Sequence, residues 1–357
     1  MKKAQTPSQT VIGIDLGDKK HAVCVMNQAG KVLSETSIPN NKFALERLCQ
    51  EFPGALVVIE VGTHSPWISR LLQSCGLRVL VANARKVKAI YTNKRKCDRL
   101  DAEILARLAR VDPELLHPIE HRSEQAQSDM LSIKMRDAMV RQRTALIVSL
   151  RGSLKSLGTR LPGCSSVSFH KKARLLLAEE EPGLLAMTEP VFAAIECLNK
   201  QIATCEEAIE RIAAERYPEA ARLRQIPGVG PITSLSFVLG VEDPERFPES
   251  RDVGAWLGLV PGRDQSGDSD KQMPISREGN RYLRGLLVQS AQYILGHFGP
   301  DCELKRYGQR IAERGGKAAK KRAVVAVARK LSVLLLTLWK HQRDYEPFHC
   351  HREAQAA

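Results

Sequence analysis

Two short apolar runs that each end on an acid constrain the fold of this chain most strongly. Residues 11–14 lead into Asp15, and residues 55–59 lead into Glu60. Each run is typical of a buried strand, and a carboxylate at the end of such a strand costs free energy unless it is paired or bound to metal. We therefore expect the two acids to share one site. A turn-capping role is the alternative for Asp15.

A second pair of acids follows at Asp98 and Asp101. Residues three apart on a helix lie on the same side of it, so both carboxylates point the same way. Four carboxylates in one place require a compensating cation, and Mg²⁺ is the usual ion for oxygen ligands. For this pair alone, a solvated helix face is the alternative.

Residues 84–97 carry six basic residues and no acid, which suits the delivery of a phosphate backbone to bound metal. A solvated charge run is the alternative for this stretch. The six residues are Arg85, Lys86, Lys88, Lys94, Arg95 and Lys96.

The order of elements in the first third of the chain indicates an RNase H-like sheet. Strands are predicted at 11–15, 21–26, 31–38, 55–61 and 78–82. Helices are predicted between them, at 42–52 and 66–75. In such a sheet the first and fourth strands are neighbours, so Asp15 and Glu60 meet. An amphipathic helix predicted at 98–110 crosses back over the sheet.

The middle of the chain, 120–215, is predicted to be a long antiparallel helical hairpin around a loop at 159–170 that is rich in Pro, Gly and Ser. Apolar residues recur at helical spacing in its first helix, at Leu131, Met135, Met139, Leu146, Leu150, Leu154 and Leu157. Its second helix carries a heptad seam, at Ile195, Leu198, Ile202, Cys205, Ile209 and Ile212. The seam can close within the chain or against another subunit, and self-association through 120–215 is the expectation.

Residues 223–295 form a third region with two features of interest. A helix–turn–helix at 226–231 has glycines that allow backbone approach to a phosphate. A polar loop at 262–272 contains Ser266, and a basic helix starts near Asn280. A serine in a polar loop is usually part of a turn, and it attacks phosphate only when a base or metal activates it.

Composition narrows the class of partner. The formal net charge is +14 and the pI is about 9.5, which favours nucleic acid. Aromatic residues make up 5% of the chain, so base stacking is not the main binding device. The nine cysteines form no CxxC pair, which argues against zinc and for reduced thiols in the cytoplasm. The apolar stretch at 331–339 is too short to cross a bilayer, so no membrane partner is expected.

These motifs resemble the DEDD-type insertion-sequence transposases of the IS-one-ten family, also described as bridge-RNA-guided recombinases. The resemblance runs from Val11 to about Leu295 and rests on the order and spacing of short motifs. Three of them end on or contain the four acids, and the others follow in the last third of the chain. The motifs occupy 12–15, 57–60, 96–102, 226–230, 247–250, 258–261, 265–267 and 275–284.

The resemblance implies a fold of class α/β plus α. A RuvC-like (RNase H-like) catalytic domain would occupy 8–118, and a helical coiled-coil hairpin would occupy 119–218. A mostly helical transposase domain at 219–300 would carry the serine and a helix-hairpin-helix-like element. Beyond the resemblance, the ten Lys or Arg against one acid at 305–330 predict a basic helical tail at 301–357.

The resemblance also implies residue roles and partners. Asp15, Glu60, Asp98 and Asp101 would hold Mg²⁺, and Ser266 would form a covalent link to the 5′ phosphate of cut DNA. The serine domain of one subunit would complete the acidic site of another in a tetramer of two dimers, in the bacterial cytoplasm at the nucleoid. A structured bridge RNA would pair with donor and target DNA.

One departure from the family pattern concerns the residues after the serine. Many relatives follow the Ser-Gly with another glycine and a basic residue, whereas residues 268–270 here read Asp-Ser-Asp. Ser269 is therefore a second candidate for the nucleophile.

Nucleic-acid contacts are expected from basic residues in three places. The first is the stretch 85–96. The second is the helix after the serine, where arginines would hold the attacked phosphate, and the third is the stretch 305–330, with ten Lys or Arg against one acid. The expected residues beyond 96 are Arg277, Arg281, Arg284, Lys317, Lys320, Lys321 and Arg322.

Two other functions compete with a recombinase. A RuvC-like junction-resolving endonuclease would use the acidic site alone, with water as the nucleophile. A non-catalytic nucleic-acid-binding protein would retain only a degenerate sheet, and the presence of all four acids argues against it. A protein–DNA adduct that survives denaturation would separate the recombinase from the nuclease.

Overall fold

A computed structural model describes residues 10–83, 87, 97–266 and 269–348, with the backbone alone at 269–272. The chain divides into two compact units, Met1–Arg122 and Ser123–Ala357. The first boundary lies close to the predicted end of the catalytic domain at 118. The three domains predicted for 119–357 fall within one unit, and their separate boundaries stay predictions. None of the helices in the described part of the chain combines the length and apolarity that a bilayer crossing requires.

The first unit contains a five-stranded sheet with helices on both faces. Strands follow the order β3-β2-β1-β4-β5, in which β1–β2 and β2–β3 pair antiparallel while β1–β4 and β4–β5 pair parallel. This confirms the predicted RNase H-like strand order. The elements are β1 (Val11–Asp15), β2 (Lys20–Met26), β3 (Val32–Pro39), α1 (Lys42–Glu51), β4 (Leu56–Glu60), α2 (Ser65–Ser74), β5 (Arg78–Ala82) and α3 (Asp98–Val111).

The sheet has two apolar faces because successive side chains of a strand point to opposite sides. Ile12 and Ile14 of β1 pack with Ile59 of β4 into the core shared with α1 and α2. Val11 and Val58 belong to the opposite core, which is shared with α3. Strands β1 and β4 are therefore apolar on both faces, which explains why they appear in the sequence as continuous apolar runs rather than alternating ones.

Helix α3 lies directly over β1. A Cβ atom placed on Gly13 would overlap the carbonyl oxygen of Ala102 and would lie 2.8 Å from the backbone nitrogen of Ala106. Only glycine allows this approach of helix and strand backbones. The position of α3 over the sheet therefore depends on Gly13.

The second unit is mostly helical. Its helices are α4 (Glu124–Ser156), α5 (Phe169–Glu180), α6 (Pro182–Arg216), α7 (Glu219–Leu223), α8 (Pro231–Val241), α9 (Asp252–Trp256), α10 (Arg281–Leu295), α11 (Glu303–Ala312) and α12 (Gly316–Lys340). Helices α4 and α6 form the predicted long hairpin. The sequence missed α5, which lies between them and packs its Phe169 into the same core as Phe192 of α6.

The heptad seam closes within the chain. Ile195 packs in one core cluster with Leu150 and Leu154 of α4, and Ile209 packs in another with Met130 and Ile133. Ile202, between them, is 3% exposed. The seam therefore forms the core of the hairpin and is not an interface between subunits. Self-association through another surface of 120–215 stays a prediction.

The predicted stripe on α4 is wrong in its first half. Leu131 and Met135 are about half exposed, whereas Met130 and Ile133 are buried. The buried carboxylate of Asp129 accepts hydrogen bonds from Arg216 Nη1 at 2.6 Å and from Tyr217 Oη at 2.8 Å. These bonds fix which face of α4 packs against the C-terminal end of α6. Because the residues involved are polar, apolar periodicity in the sequence does not indicate them.

Two corrections concern the end of the chain. The predicted polar loop at 262–272 is a β-hairpin of β6 (Pro261–Ser266) and β7 (Ser269–Ile275). The predicted basic tail contains α12, whose Leu331 and Leu335 are fully buried in the main core of the second unit. The expected basic residues of α12 are exposed, both in its first turns and at Arg329 and Lys330, so the helix is both a core element and a charged one.

Candidate active site

Asp15 and Glu60 lie at adjacent strand ends on the same face of the sheet. The parallel register pairs Gly13 with Val58 and Ile14 with Ile59, so the next residue of each strand is Asp15 or Glu60. Side chains two apart along a strand share a face. Glu60 therefore lies on the face of Val58, and Asp15 lies on the face of Gly13, which α3 covers.

Helix α3 brings the other two acids to this face. Its buried stripe includes Ala102, Leu105 and Ala106, and the helical repeat extends this stripe back to Asp98 and Asp101. Asp101 is only 5% exposed, although it lies in the first turn. All four predicted acids thus belong to the α3 side of the sheet in the first unit.

The start of α3 is fixed electrostatically as well as by packing. Both aspartates occupy the first turn, where the helix dipole favours negative charge. Arg99, between them, forms an ion pair with Glu35 of β3. This pair links the N-terminal turn of α3 to the edge strand of the sheet, and the hydrogen bond that Arg99 donates to Glu35 raises the pKa of Arg99.

The donor set suits a hard divalent ion, because carboxylate oxygens are the ligands that Mg²⁺ prefers in proteins. Within the residues that the structure describes, no three His, Cys, Asp or Glu side chains converge closely enough to enclose an ion. The acids share one face of the sheet, and Asp15, Glu60, Asp98 and Asp101 are the residues that would hold the ion. The family resemblance points to the same four residues.

Sequence reasoning missed a polar cluster at the same sheet edge. His64 Nε2 lies 3.3 Å from Asp18 Oδ1, which links the loop after β4 to the loop after β1. A weak signal was available, since Asp18 follows Asp15 by three residues and His64 follows Glu60 by four.

His21 lies beneath these loops and is fully buried. Neither of its ring nitrogens has a hydrogen-bond partner within the described residues. Burial lowers the pKa of His21. The nearby side chain of Asn40 partly offsets this effect by raising the pKa, and the nearby His64 lowers the pKa further. The imidazole is thus held neutral near physiological pH.

Ser266 lies at the turn end of the β6–β7 hairpin. It is exposed and is paired across the hairpin with Ser269. The strands carry polar residues throughout the turn half, with Asp264 opposite Lys271 and Gln265 opposite Asp270. A hairpin of this kind has no apolar face, so the sequence showed only a polar loop.

The base of the hairpin is held by two glycines and an arginine. Gly258 and Gly279 have φ of +66° and +72°, and a Cβ on Gly279 would overlap the carbonyl oxygen of Trp256. Arg284 Nη1 donates to the carbonyl oxygens of Leu257 and Glu278, both at 2.7 Å. Arg284, predicted to bind phosphate, therefore contacts the protein backbone through this atom and positions the hairpin.

The other predicted basic residues are exposed where the structure describes them. Arg277 follows β7, and Arg281 begins α10 after the cap by Asn280, whose Oδ1 accepts from Leu283 N at 3.1 Å. Lys317, Lys320, Lys321 and Arg322 lie on the first two turns of α12. The six basic residues from Arg85 to Lys96 lie outside the described residues.

Comparison with known proteins gives consistent matches along the chain. The family model DEDD_Tnp_IS110, described as a transposase, matches residues 12–158. A second model, described as the transposase IS116/IS110/IS902 family, matches residues 220–309. The first spans β1 to α4 with all four acids, and it implies a RuvC/RNase H-like fold. The second spans the hairpin with Ser266.

Full-length relatives agree with the two family models. The transposase for insertion sequence element IS1111A of Coxiella burnetii is 28% identical over 342 residues, covering 94% of this chain and 91% of the relative. The transposase for insertion sequence element IS1328 of Yersinia enterocolitica is 27% identical, covering 81% and 85%. A probable family 20 transposase of Pseudomonas aeruginosa is 26% identical, covering 94% and 98%.

Proposed function

Because this chain belongs to the IS110 family of insertion-sequence transposases, enzymes that cut and recombine DNA, we propose that it combines an acidic metal centre with a serine nucleophile. The observation that carries the proposal is the parallel register of β1 and β4 beneath α3. It puts Asp15 and Glu60 on the face that α3 covers with Asp98 and Asp101. Acids in this arrangement are suited to metal-assisted phosphoryl transfer.

The four acids would hold Mg²⁺ in the first unit. The bound ion supplies positive charge that neutralises the attacked phosphodiester and the leaving oxygen. Asp101 is the most buried of the four, so the position of its carboxylate is the most restricted by packing. The Asp18–His64 pair closes the loops at the strand ends and restrains the carboxylate-bearing edge.

Ser266 would attack the phosphorus of a DNA phosphodiester. A bond forms between Ser266 Oγ and phosphorus, the bond to the 3′ oxygen breaks, and the hydroxyl proton passes to the leaving 3′ oxygen through solvent or a base. The 5′ phosphate remains on the serine. A 3′ hydroxyl of another strand would later attack the same phosphorus, the bond between phosphorus and Ser266 Oγ would break, and the proton of that hydroxyl would return to the serine through solvent or a base. The exposed position of Ser266 at a hairpin turn supports this role, because a strand of DNA can reach it without unfolding the unit.

The proposed assembly follows the family pattern. Ser266 belongs to the second unit and the acids to the first, and the serine of one subunit would complete the acidic site of another within a tetramer. A structured bridge RNA would pair with donor and target DNA. The net charge of +14 and the low aromatic content support binding through nucleic-acid backbones, with sequence recognised by base pairing.

The hairpin offers a matched pair of variants to test the serine mechanism. Ser266→Ala and Ser269→Ala each remove one hydroxyl at paired positions of the same hairpin. We expect Ser266→Ala to reduce the denaturation-resistant protein–DNA adduct by on the order of a thousandfold or more, and Ser269→Ala to leave it nearly unchanged. The adduct is measured by denaturing electrophoresis with end-labelled DNA, Mg²⁺ and the element's RNA.

Each contrary outcome has a definite meaning. Loss of the adduct in Ser269→Ala alone would transfer the role to Ser269. Normal strand cutting by Ser266→Ala without an adduct would identify a nuclease that uses water.

Amide variants test the four acids one at a time. Each should abolish cutting while the protein stays folded, and an active variant would remove its residue from the site. The variants are Asp15→Asn, Glu60→Gln, Asp98→Asn and Asp101→Asn. Recovery of cutting in a mixture of Ser266→Ala and Asp15→Asn proteins would support a site shared between subunits.

A further inference from the structure

A continuous groove runs along one side of α10 in the second unit. It consists of two cavities of about 470 and 740 Å³ that share Thr233, Leu286 and Gln289. One end is lined by the turn at 226–230, and the other by residues 136–141 of α4. We refer to this trough as the α10 groove. Because it is elongated and open, it fits a length of polymer better than a small ligand.

The α10 groove carries unbalanced positive charge. Arg136, on its wall, is matched by Glu206, 2.5 Å from Nη2, and by Asp137, 3.3 Å from Nη1. Arg141 and Arg281 also line the groove, are exposed, and form no ion pair with any other residue that the structure describes. Asp137, the acid that lines the groove, is thus already paired with Arg136. The guanidinium groups of Arg141 and Arg281 remain available to bind an external anion. Guanidinium groups bind phosphate oxygens in a bidentate manner.

The opposite end of the groove is formed by a glycine turn packed closely on α10, since a Cβ on Gly228 would lie 2.9 Å from Tyr293 and 3.0 Å from the carbonyl oxygen of Ser290. Gly228 has a φ of +80°, and the turn that contains it leads through Gly230 into α8. No side-chain hydrogen bond caps α8 at Gly230. Arg224 also lines this end, and its ion pair with Glu210 at 2.6 Å is exposed and able to exchange with a phosphate.

We propose that the α10 groove binds the sugar–phosphate backbone of a nucleic-acid strand, with Arg141 and Arg281 each contacting a phosphate. This inference rests on the proposed function, because it assigns the place where the second unit holds the recombining nucleic acid. Arg281 begins the helix that Asn280 caps, and Arg284 of the same helix anchors the Ser266 hairpin. A strand in the groove is therefore held on the helix whose Arg284 contacts the base of the hairpin that carries the nucleophile.

The test compares two double variants with equal changes of charge. Arg141→Glu with Arg281→Glu reverses both free charges of the groove. Arg160→Glu with Arg211→Glu makes the same change at two other exposed arginines of the second unit. Binding of the full-length proteins to a labelled DNA single strand, a DNA duplex and an RNA strand is followed by fluorescence anisotropy in EDTA, as a function of salt.

We expect the groove variant to bind at least one of these probes about tenfold or more weakly than the control variant. For duplex DNA the slope of log affinity against log salt should fall by about 1.8, because two phosphate contacts are lost. The probe whose affinity falls most in the groove variant shows whether the bound backbone is that of DNA or of RNA. Equal losses in the groove and control variants would overturn the inference.

A gain-of-binding variant guards against effects of misfolding. Gln289 is exposed and lines both cavities. Gln289→Arg should tighten binding severalfold, whereas Gln289→Glu should weaken it. No difference between these two would also overturn the inference. Because binding is measured in EDTA without cutting, failure of the serine mechanism would leave this result unchanged, and failure of the groove would leave the adduct test unchanged.

Discussion

The acids of the first unit and the serine of the second unit are held in opposite ways. Asp15 and Glu60 end two hydrogen-bonded central strands, and the sheet face that they share is covered by α3. Ser266 ends a two-stranded polar hairpin whose first strand is exposed from Arg263 to Ser266 and whose base is held by Arg284. A metal centre needs fixed ligand positions, whereas a nucleophile that becomes bonded to DNA needs access.

The prediction with the largest expected effect concerns the core of the second unit, which is packed tightly in contrast to the exposed end of its hairpin. Ile202 and Ile209 are buried in the seam between α4 and α6. Changing both to Asp buries charges without partners and should lower the free energy of unfolding by more than about 5 kcal/mol. Ala203→Asp, at an exposed position of the same helix, should change it by less than about 0.5 kcal/mol.

Chemical denaturation followed by circular dichroism measures both variants, and size-exclusion chromatography reports their assembly. The double variant should yield unfolded or aggregated protein. Soluble, folded monomers would instead mean that the seam joins subunits.

The second prediction concerns the packing beneath the acids. Gly13→Val would drive a side chain into the backbone of α3 at Ala102 and should cost more than about 3 kcal/mol. Gly62→Ala, where a Cβ meets open space in the same unit, is the matched control and should be nearly neutral. Hydrogen exchange of the amides of β1 and β4 measures the loss locally. Unchanged protection in Gly13→Val would contradict the close approach of α3 to the sheet.

The third prediction addresses the base of the hairpin. Gly279→Ala is strained because φ is +72° and because a Cβ would overlap the carbonyl oxygen of Trp256. It should cost about 1–3 kcal/mol and reduce adduct formation, while exchange protection of β1 and β4 stays normal. Gly152→Ala, in α4 with open space around it, should stabilise the unit by roughly 0.5–1 kcal/mol. If Gly279→Ala kept full adduct formation, the hairpin would not need its base for activity.

The same contrast explains what the sequence predicted. The strands of the first unit were predicted because each apolar run is buried on both faces, and the positions of Asp15 and Glu60 followed from strand order. The contact between Gly13 and Ala102 could not be predicted, because it depends on where α3 settles after residues 84–96, of which only Val87 is described. The Asp18–His64 contact likewise joins two loops that are distant in sequence.

The second unit was predicted less well for physical reasons. The β6–β7 hairpin has no alternation of apolar and polar residues, so its strands leave no pattern. On α4, Leu131 and Met135 fit the helical period as well as Met130 and Ile133 do, and the contacts of Asp129 with α6 select between them. Ser266 itself was identified from the family resemblance and from no local chemical signal.

The smallest expected effect is a pH dependence that is stronger in the first unit. Burial lowers the pKa of His21 and of His121 there, and that of His170 in the second unit. In the unfolded chain each imidazole titrates near about 6.5. As the pH falls below about 6.5, the unfolded chain therefore binds more protons on these histidines than the folded chain does. Their burial costs no stability above this pH, and the free energy of unfolding decreases as the pH falls below it.

Between about pH 7 and pH 5, we expect the free energy of unfolding of the first unit to fall, measured by hydrogen exchange of β1 and β4. His21→Leu removes a buried ring whose nitrogens have no partner among the described residues, so it should flatten this loss by about 1 kcal/mol. His341→Ala, at an exposed position of the second unit, should leave it unchanged. A pH profile that His21→Leu does not alter would mean that the pKa of His21 is the same in the folded and the unfolded chain, so that its burial carries none of the pH dependence.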